Sequence, residues 1–278
     1  MGRPTSRARA DTARKAILIG LGLLWLAPVY LMLANAAKTN EQYGAASVWQ
    51  PGFGGLVENV TTAWGRGDIS EGVLSTALYS LVSPLLAVLV GAAAGFAIVA
   101  LRLRHGFFWF VVIFSSTVFP IQMILMPLFL AYVQVEIFDT RAGMILIYMV
   151  ISVPFSAFVM RNFFSGIARQ VFEAAVVDGA STWRIFWRIY LPMSSSALVA
   201  VFILQATFIW NDLLLGLTLT QSAETRPVMT ALSALQSTYG GSTMPTVLTG
   251  GLLVSIPTVA LFLLTQRAFT RGLSLGQF

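Results

Sequence analysis

Long apolar runs separated by shorter polar stretches dominate this chain. Runs at 16–36, 76–101, 107–133, 142–160, 194–220 and 246–266 each approach or exceed the roughly 20 residues that an α-helix needs to cross a ~30 Å hydrocarbon core. Within lipid a segment must satisfy its backbone polar groups internally, so such runs are read as helices. The pattern predicts an all-α polytopic membrane protein with six transmembrane helices. The third and fifth runs are long enough to tilt or to project beyond the bilayer. Proline falls within most of the runs (Pro28, Pro84, Pro120, Pro127, Pro154, Pro257), and each removes a backbone donor and can kink its helix. Pro120 and Pro127 share one run, which predicts a bent element suited to lining a path. The small-residue stretch Gly91-Ala92-Ala93-Ala94-Gly95 predicts close approach of a second helix.

Composition agrees with the pattern. Apolar residues make up 57% of the 278 residues and charged residues 10%, against roughly 25% charged in soluble domains. Mean hydropathy is +0.80. Too few charges remain to cover a water-facing surface, which argues against a soluble enzyme and against disorder. Without cysteine there is no disulfide scaffold or thiolate metal centre, and a single histidine excludes a multi-histidine one.

The formal charge of +6 and pI near 10.1 would point to nucleic acid in a soluble protein. Here their distribution gives another cause. With the N-terminus in the cytoplasm, most basic residues fall inside, and only Lys38, Arg66, Arg141 and Arg226 fall outside. That is the bias expected of a membrane protein with both termini cytoplasmic, and it requires no nucleic-acid partner. Ala34-Asn35-Ala36 resembles a signal-peptide cleavage site. However, the apolar stretch 16–33 is longer than such signals carry, and its removal would reverse the charge bias, so retention is expected. The chain then divides into a cytoplasmic tail 1–15, a membrane domain 16–270 and a cytoplasmic tail 271–278.

Three longer polar segments remain: 37–75 and 221–245 outside, and 161–193 inside. In the first, Leu56, Val60 and Trp64 recur at helical spacing, predicting a short helix on the membrane surface. The inside segment is too long for a simple connector, and loops of such length are commonly functional. Its first half, residues 171–178, reads as a short helix ended by Gly179, apolar almost all round yet too short to span. So short a helix is marginal in water and must be buried against something, either its own helix ends or a separate cytoplasmic partner. Ala174 and Ala175 permit close backbone approach, while Glu173 and Asp178 offer fixed charges. In the second half, Trp183, Phe186, Trp187 and Tyr190 form an aromatic stripe with Arg184 and Arg188 beside it, a face suited to the headgroup layer.

Glu173-Ala174-Ala175, Asp178-Gly179-Ala180, Phe186, Ile189, Leu191 and Pro192 resemble the EAA loop of ABC-importer permeases, in the extended form of the sugar-importer class. Pro120-Ile121-Gln122 with Pro127-Leu128, Trp210-Asn211-Asp212, and Gln266-Arg267 with Gly272-Leu273 extend the likeness over most of residues 75–273. Ser196 stands where the family often has a proline, and Gln277-Phe278 replaces the usual small-residue end. The resemblance implies an ABC type I importer permease fold, a place in the inner (cytoplasmic) membrane of a prokaryote, and a coupling helix in the loop 171–192. It implies contact with a partner ATPase through Glu173, Ala174, Ala175, Asp178 and Gly179. The implied assembly adds a second permease subunit, two ATPase subunits that bind ATP and Mg, and an extracytoplasmic solute-binding protein. The implied cargo is a sugar, oligosaccharide or related polyol.

The residues themselves agree that energy comes from elsewhere. A phosphate-binding P-loop needs glycines ahead of Lys-Ser/Thr. Lys38-Thr39 follows alanines and Lys15 precedes alanine, so no such loop exists, and no cofactor of the chain's own is expected. Ion-coupled carriers commonly hold ionisable residues in several spans. Only Asp212 qualifies clearly here, and a self-sufficient secondary transporter working through it is the alternative reading. Trp210, Asn211 and Asp212 offer a stacking surface and hydrogen-bonding groups to a sugar, and Gln122 is a further candidate on the substrate pathway. His105 reads as a solvated residue at the cytoplasmic boundary.

Overall fold

A computed structural model of the chain describes residues 6–66, 68–236 and 241–274. Arg3, with the beginning of the N-terminal tail, and the terminal residues 275–278 lie outside the described residues. All regular structure among the described residues is helical. In chain order the helices are α1 (Ser6–Ala36), α2 (Asn40–Ala45), α3 (Leu56–Arg66), α4 (Ile69–Val99), α5 (Gly106–Ser115), α6 (Leu125–Gln134) and α7 (Arg141–Ser165). There follow α8 (Arg169–Val177), α9 (Thr182–Ile185), α10 (Leu191–Met193), α11 (Ser195–Trp210), α12 (Leu214–Leu219), α13 (Val228–Gln236) and α14 (Met244–Ser274). Contacts divide them into two units, Met1–Gly67 with Leu232–Leu253, and Asp68–Ala231 with Val254–Phe278.

In the first unit the apolar side chains of α1 stay open, with Trp25 80% and Leu24 68% exposed, a surface suited to lipid. Its far end is tied by polar side chains. Lys38 is 1% exposed, and its ammonium donates to Asn35 Oδ1 (2.8 Å) and to the Ser47 carbonyl (2.9 Å). Asn59 donates to the Ala36 and Lys38 carbonyls, both at 2.9 Å, and accepts from Thr246. These bonds satisfy carbonyls that a helix end leaves orphaned, and they fix the turn into α2. Thr39 caps α2, with Gln42 completing the capping box. The expected short helix is present as α3, where Asn59 and Ala63 turn inward and Leu56 and Trp64 remain exposed.

In the second unit α4 and α7 form the central pair. A Cβ on Gly91 would sit 2.6 Å from the Ala157 amide nitrogen, and one on Gly95 would sit 2.8 Å from that of Arg161. The small-residue surface therefore does what its composition predicts, letting two backbones nearly touch. One apolar cluster lies toward the C-terminal ends of α4 and α7, around Phe96, Met160, Phe164 and Tyr190. The other lies toward the N-terminal end of α7, around Tyr79, Met144, Tyr148 and Ile209.

Four helices are individually long and apolar enough to cross a bilayer, and α9–α11 adds a bent pair with an angle of 76°. The third run is not one kinked helix. It breaks into α5, a 3₁₀ turn at Ile121–Met123 and α6. The hydroxyls of Ser115, Ser116 and Thr117 bond back to carbonyls three residues earlier, and Pro120 takes an extended conformation, so the ladder cannot continue. Pro127 then falls in the first turn of α6, where a missing N–H costs nothing. The fifth run also breaks, at residues 211–213 between α11 and α12.

Candidate functional site

The segment between α7 and α11 is built as two short helices joined by a sharp turn. Gly179 adopts φ +76°, the left-handed conformation that ends α8 and that glycine tolerates best. Its amide and that of Ala180 bond back to Val176 and Ala175. Ser181 then caps α9 by accepting from the Arg184 amide. Only one side of α8 is covered. Ala175 is buried and Phe172 packs against the cluster that contains Phe96 and Tyr190. Glu173, Ala174, Asp178 and Gly179 face outward, together with Val176 (51% exposed) and Val177 (86% exposed). The expected docking residues thus separate. Four present themselves on the open side, whereas the Ala175 methyl fills the space beneath the helix.

The aromatic stripe differs from expectation in the same way. Residues 186–190 form a π-helical turn, which widens the ladder and changes which side chains share a face. Phe186 and Tyr190 turn inward onto Phe96, with ring centroids 5.2 and 4.9 Å from it. Trp183 and Trp187 stay exposed, 5.4 Å apart. Half of the stripe is therefore core.

Arg169, which sequence reasoning left unused, lies at the start of α8. Its Nε donates to Glu173 Oε1 at 3.1 Å, and its Nη1 donates to the carbonyl of Ala100, which caps α4, at 2.7 Å. Its guanidinium carbon lies 4.7 Å from the centre of the Phe172 ring. The i,i+4 spacing of Arg169 and Glu173 was a visible signal for the first contact. The second joins residues far apart in the chain and had none.

Some 25 residues of α7, a rise of ~37 Å, separate this loop from the chain entering α7. At that opposite end Asp139, at φ +54°, accepts from the Gln221 and Ser222 amides and from the Ser222 and Thr225 hydroxyls. Partial burial alone would raise its pKa, but these donors outweigh it and hold the carboxyl below its ordinary value. Arg141 and Ser75 both donate to the Glu224 carbonyl, so the segment 220–227 is anchored to α4 and α7.

Between the two ends lies the break after α11. Asp212 Oδ2 accepts from the Tyr148 hydroxyl at 2.9 Å and from the amides of Leu215 (3.1 Å) and Gly216 (3.3 Å). The carboxylate thereby starts α12 and ties it to α7. Trp210 is buried, its indole N–H donating to the Val254 carbonyl. Asn211 is exposed and bonds to the Thr207 carbonyl. Asn211 and Asp212 line a groove of about 850 Å³ with Thr207, Phe208, Thr258 and Phe262. A second groove, of about 700 Å³, adjoins the first across Leu204 and Phe208 of α11 and includes Thr117, Phe155 and Gln205. Gln122 is exposed within the 3₁₀ turn and borders neither groove. Gln205 was legible only as part of an apolar run.

Residues 87–274 match the family described as binding-protein-dependent transport system inner membrane component. The chain belongs to that family. It is similar to a diacetylchitobiose uptake system permease protein of Streptomyces coelicolor, with 26% identity over 98% of this chain and 92% of the relative. It is 30% identical to an sn-glycerol-3-phosphate transport system permease protein of Yersinia pestis, over 92% of this chain and 93% of that one. A trehalose transport system permease protein of Mycobacterium tuberculosis is 31% identical over 76% and 78%. Among solved structures, a chain of a bacterial ABC transporter involved in the import of the acidic polysaccharide alginate superposes with a TM-score of 0.71. It covers 96% of this chain and 99% of its own at 19% identity, so the two chains share a fold.

Proposed function

We propose that this chain is the transmembrane permease subunit of an ATP-driven importer for a sugar, oligosaccharide or related polyol. The observation that carries the reading is the open apolar side of α8. A membrane permease of this family leaves Ala174, Val176 and Val177 uncovered on a loop helix, and such a face is stable once a partner buries it. The proposed partner is an ATPase, which binds ATP and Mg and supplies the chemistry this chain lacks. A second permease subunit, a second ATPase subunit and an extracytoplasmic binding protein complete the assembly.

In this mechanism ATP binding closes the ATPase pair and displaces α8. The buried side, Phe172 and Ala175, passes that displacement to Phe96 of α4 and Tyr190. Because α4 and α7 are packed backbone to backbone, they move as one body and the spans alternate access between the two faces. The relatives' named substrates, a disaccharide, a polyol phosphate and trehalose, support a polyhydroxylated cargo. The commitments of Asp212 count against the ion-coupled alternative, because its carboxylate is already engaged by Tyr148 and two amides.

The test is uptake of labelled solute into vesicles holding the full assembly, with ATP supplied on the side of the loop 161–193. Uptake should require ATP and the binding protein. Solute accumulation by the isolated chain under an ion gradient alone would refute the proposal.

A further inference from the structure

We infer that Arg169 is a positioning residue that ties the docking helix α8 to the end of α4, and through it to the α4–α7 pair; this rests on the function proposed above. The guanidinium makes three contacts at once. Nε holds Glu173 Oε1 at 3.1 Å, Nη1 holds the Ala100 carbonyl at 2.7 Å, and the cation lies 4.7 Å from the centre of the Phe172 ring. Ala100 caps α4, where the last carbonyls lack intrahelical partners and the helix dipole favours a cation. The guanidinium sets its donors on separate atoms in a fixed plane, Nε toward the carboxylate and Nη1 toward the carbonyl, whereas a lysine ammonium gathers its donors on one nitrogen at the end of a flexible stem.

The geometry assigns a task beyond stability. Arg169 and Glu173 are 36% and 60% exposed, and a pair so wet adds little to folding free energy. What the contact adds is direction. The apolar side of α8, through Phe172 against Phe96 and Tyr190, is non-directional and can slide. The Ala100 bond cannot slide without breaking, so it fixes where α8 sits relative to α4. The same guanidinium orients Glu173, whose Oε1 it occupies and whose Oε2 meets no hydrogen-bond donor among the described residues. A pull on Glu173 by a docked partner therefore reaches the end of α4 through one side chain.

The experiment uses the assembled importer in proteoliposomes, with R169M and R169K beside wild type. R169M keeps an aliphatic stem over Phe172 and loses both hydrogen bonds. Membrane abundance and ATPase retention are measured first, then ATP hydrolysis with and without solute-loaded binding protein, then uptake per ATP. The expected result for R169M is normal retention and normal unstimulated hydrolysis. Stimulation by the loaded binding protein and uptake per ATP should fall about tenfold, the scale of one charge-assisted hydrogen bond. R169K keeps the charge but loses the fixed plane that aims the two donors, and should fall between. Wild-type uptake per ATP in R169M overturns the inference. So does loss of ATPase retention in R169M, which would make Arg169 part of the docking contact. If R169M does not accumulate in the membrane, R169K carries the test, and full coupling in R169K overturns it. Failure of the wild-type assembly to retain an ATPase or to need ATP would instead refute the proposed function.

Discussion

Consider the substitution Val177→Asp. Val177 is 86% exposed, so within its own chain it does almost nothing, and the isolated permease should unfold within about 0.5 kcal/mol of wild type. Its part begins on docking. Fully burying a valine side chain is worth about 1.5–3 kcal/mol, and most of that remains to be gained here. Association converts area poorly, so a net of about 1 kcal/mol, or about fivefold in affinity, is the expected loss for the mild variant Val177→Ser. Aspartate adds the cost of desolvating an unpaired carboxylate, several kcal/mol even after relaxation. The sum exceeds about 3 kcal/mol, a loss of more than about a hundredfold. The assay is equilibrium retention of the purified ATPase on detergent-solubilised permease, with thermal unfolding of the permease alone as control. Retention of V177D within about twofold of wild type would show that this face is not the docking surface, whatever else the loop does.

Three further outcomes follow from other parts of the chain. Gly91→Ala places a methyl carbon 2.6 Å from the Ala157 amide nitrogen, against backbone that cannot swing away, and should destabilise the purified protein by about 1–3 kcal/mol in a thermal scan. Tyr148→Phe leaves Asp212 with its amide partners alone; a loss of about 1–2 kcal/mol and faster amide exchange at Leu215 and Gly216 are expected. Asp139 has its folded pKa depressed, so its contribution is present above the unfolded value near 4 and is lost as the pH falls through the lower folded value. Amide exchange at Gln221 and Ser222 should therefore accelerate only below about pH 4, and Asp139→Asn should remove that dependence. Protection of these amides that still falls below about pH 4 in D139N would refute the assignment.

Much of the architecture was legible because membrane insertion makes hydropathy nearly sufficient. Apolar length announced α1, α4, α7 and α14, the glycines announced the α4–α7 contact, and Gly179 announced the turn after α8. What failed to show has a common physical origin. The break in the third run depends on three hydroxyls bonding backward while Pro120 withholds its amide, and hydropathy counts none of these. Residues 186–190 form a π-helical turn that lays Phe186 and Tyr190 on Phe96, and counting residues by 3.6 put them on the same open face as Trp183 and Trp187. Ala175 looks identical to Ala174 in sequence, yet Ala175 is buried and Ala174 is exposed. Asp212 was visible as an unusual carboxylate, but its Tyr148 partner sits 64 residues earlier, a distance no local pattern spans.

The same contacts explain how one helix pair can serve both ends of the second unit. Phe96 and Ala100 near the end of α4 receive α8, while Tyr148 near the start of α7 holds the carboxylate that opens α12. Between them the backbones meet at Gly91 and Gly95, too closely for independent sliding, since interiors this dense are bistable rather than compliant. Under the proposed coupling, α8 therefore cannot shift without carrying Tyr148 with it, and the motion reaches residues 211–213 through the Tyr148 hydroxyl on Asp212, the packing of Ile209 beside Tyr79 and Tyr148, and the Gln205 bond to the Ser152 carbonyl. That break lies between α11, which borders both grooves, and α12. Under the same proposal, a displacement begun at α8 ends at α11 and the two grooves it borders, with no side chain along the way needing to change its charge.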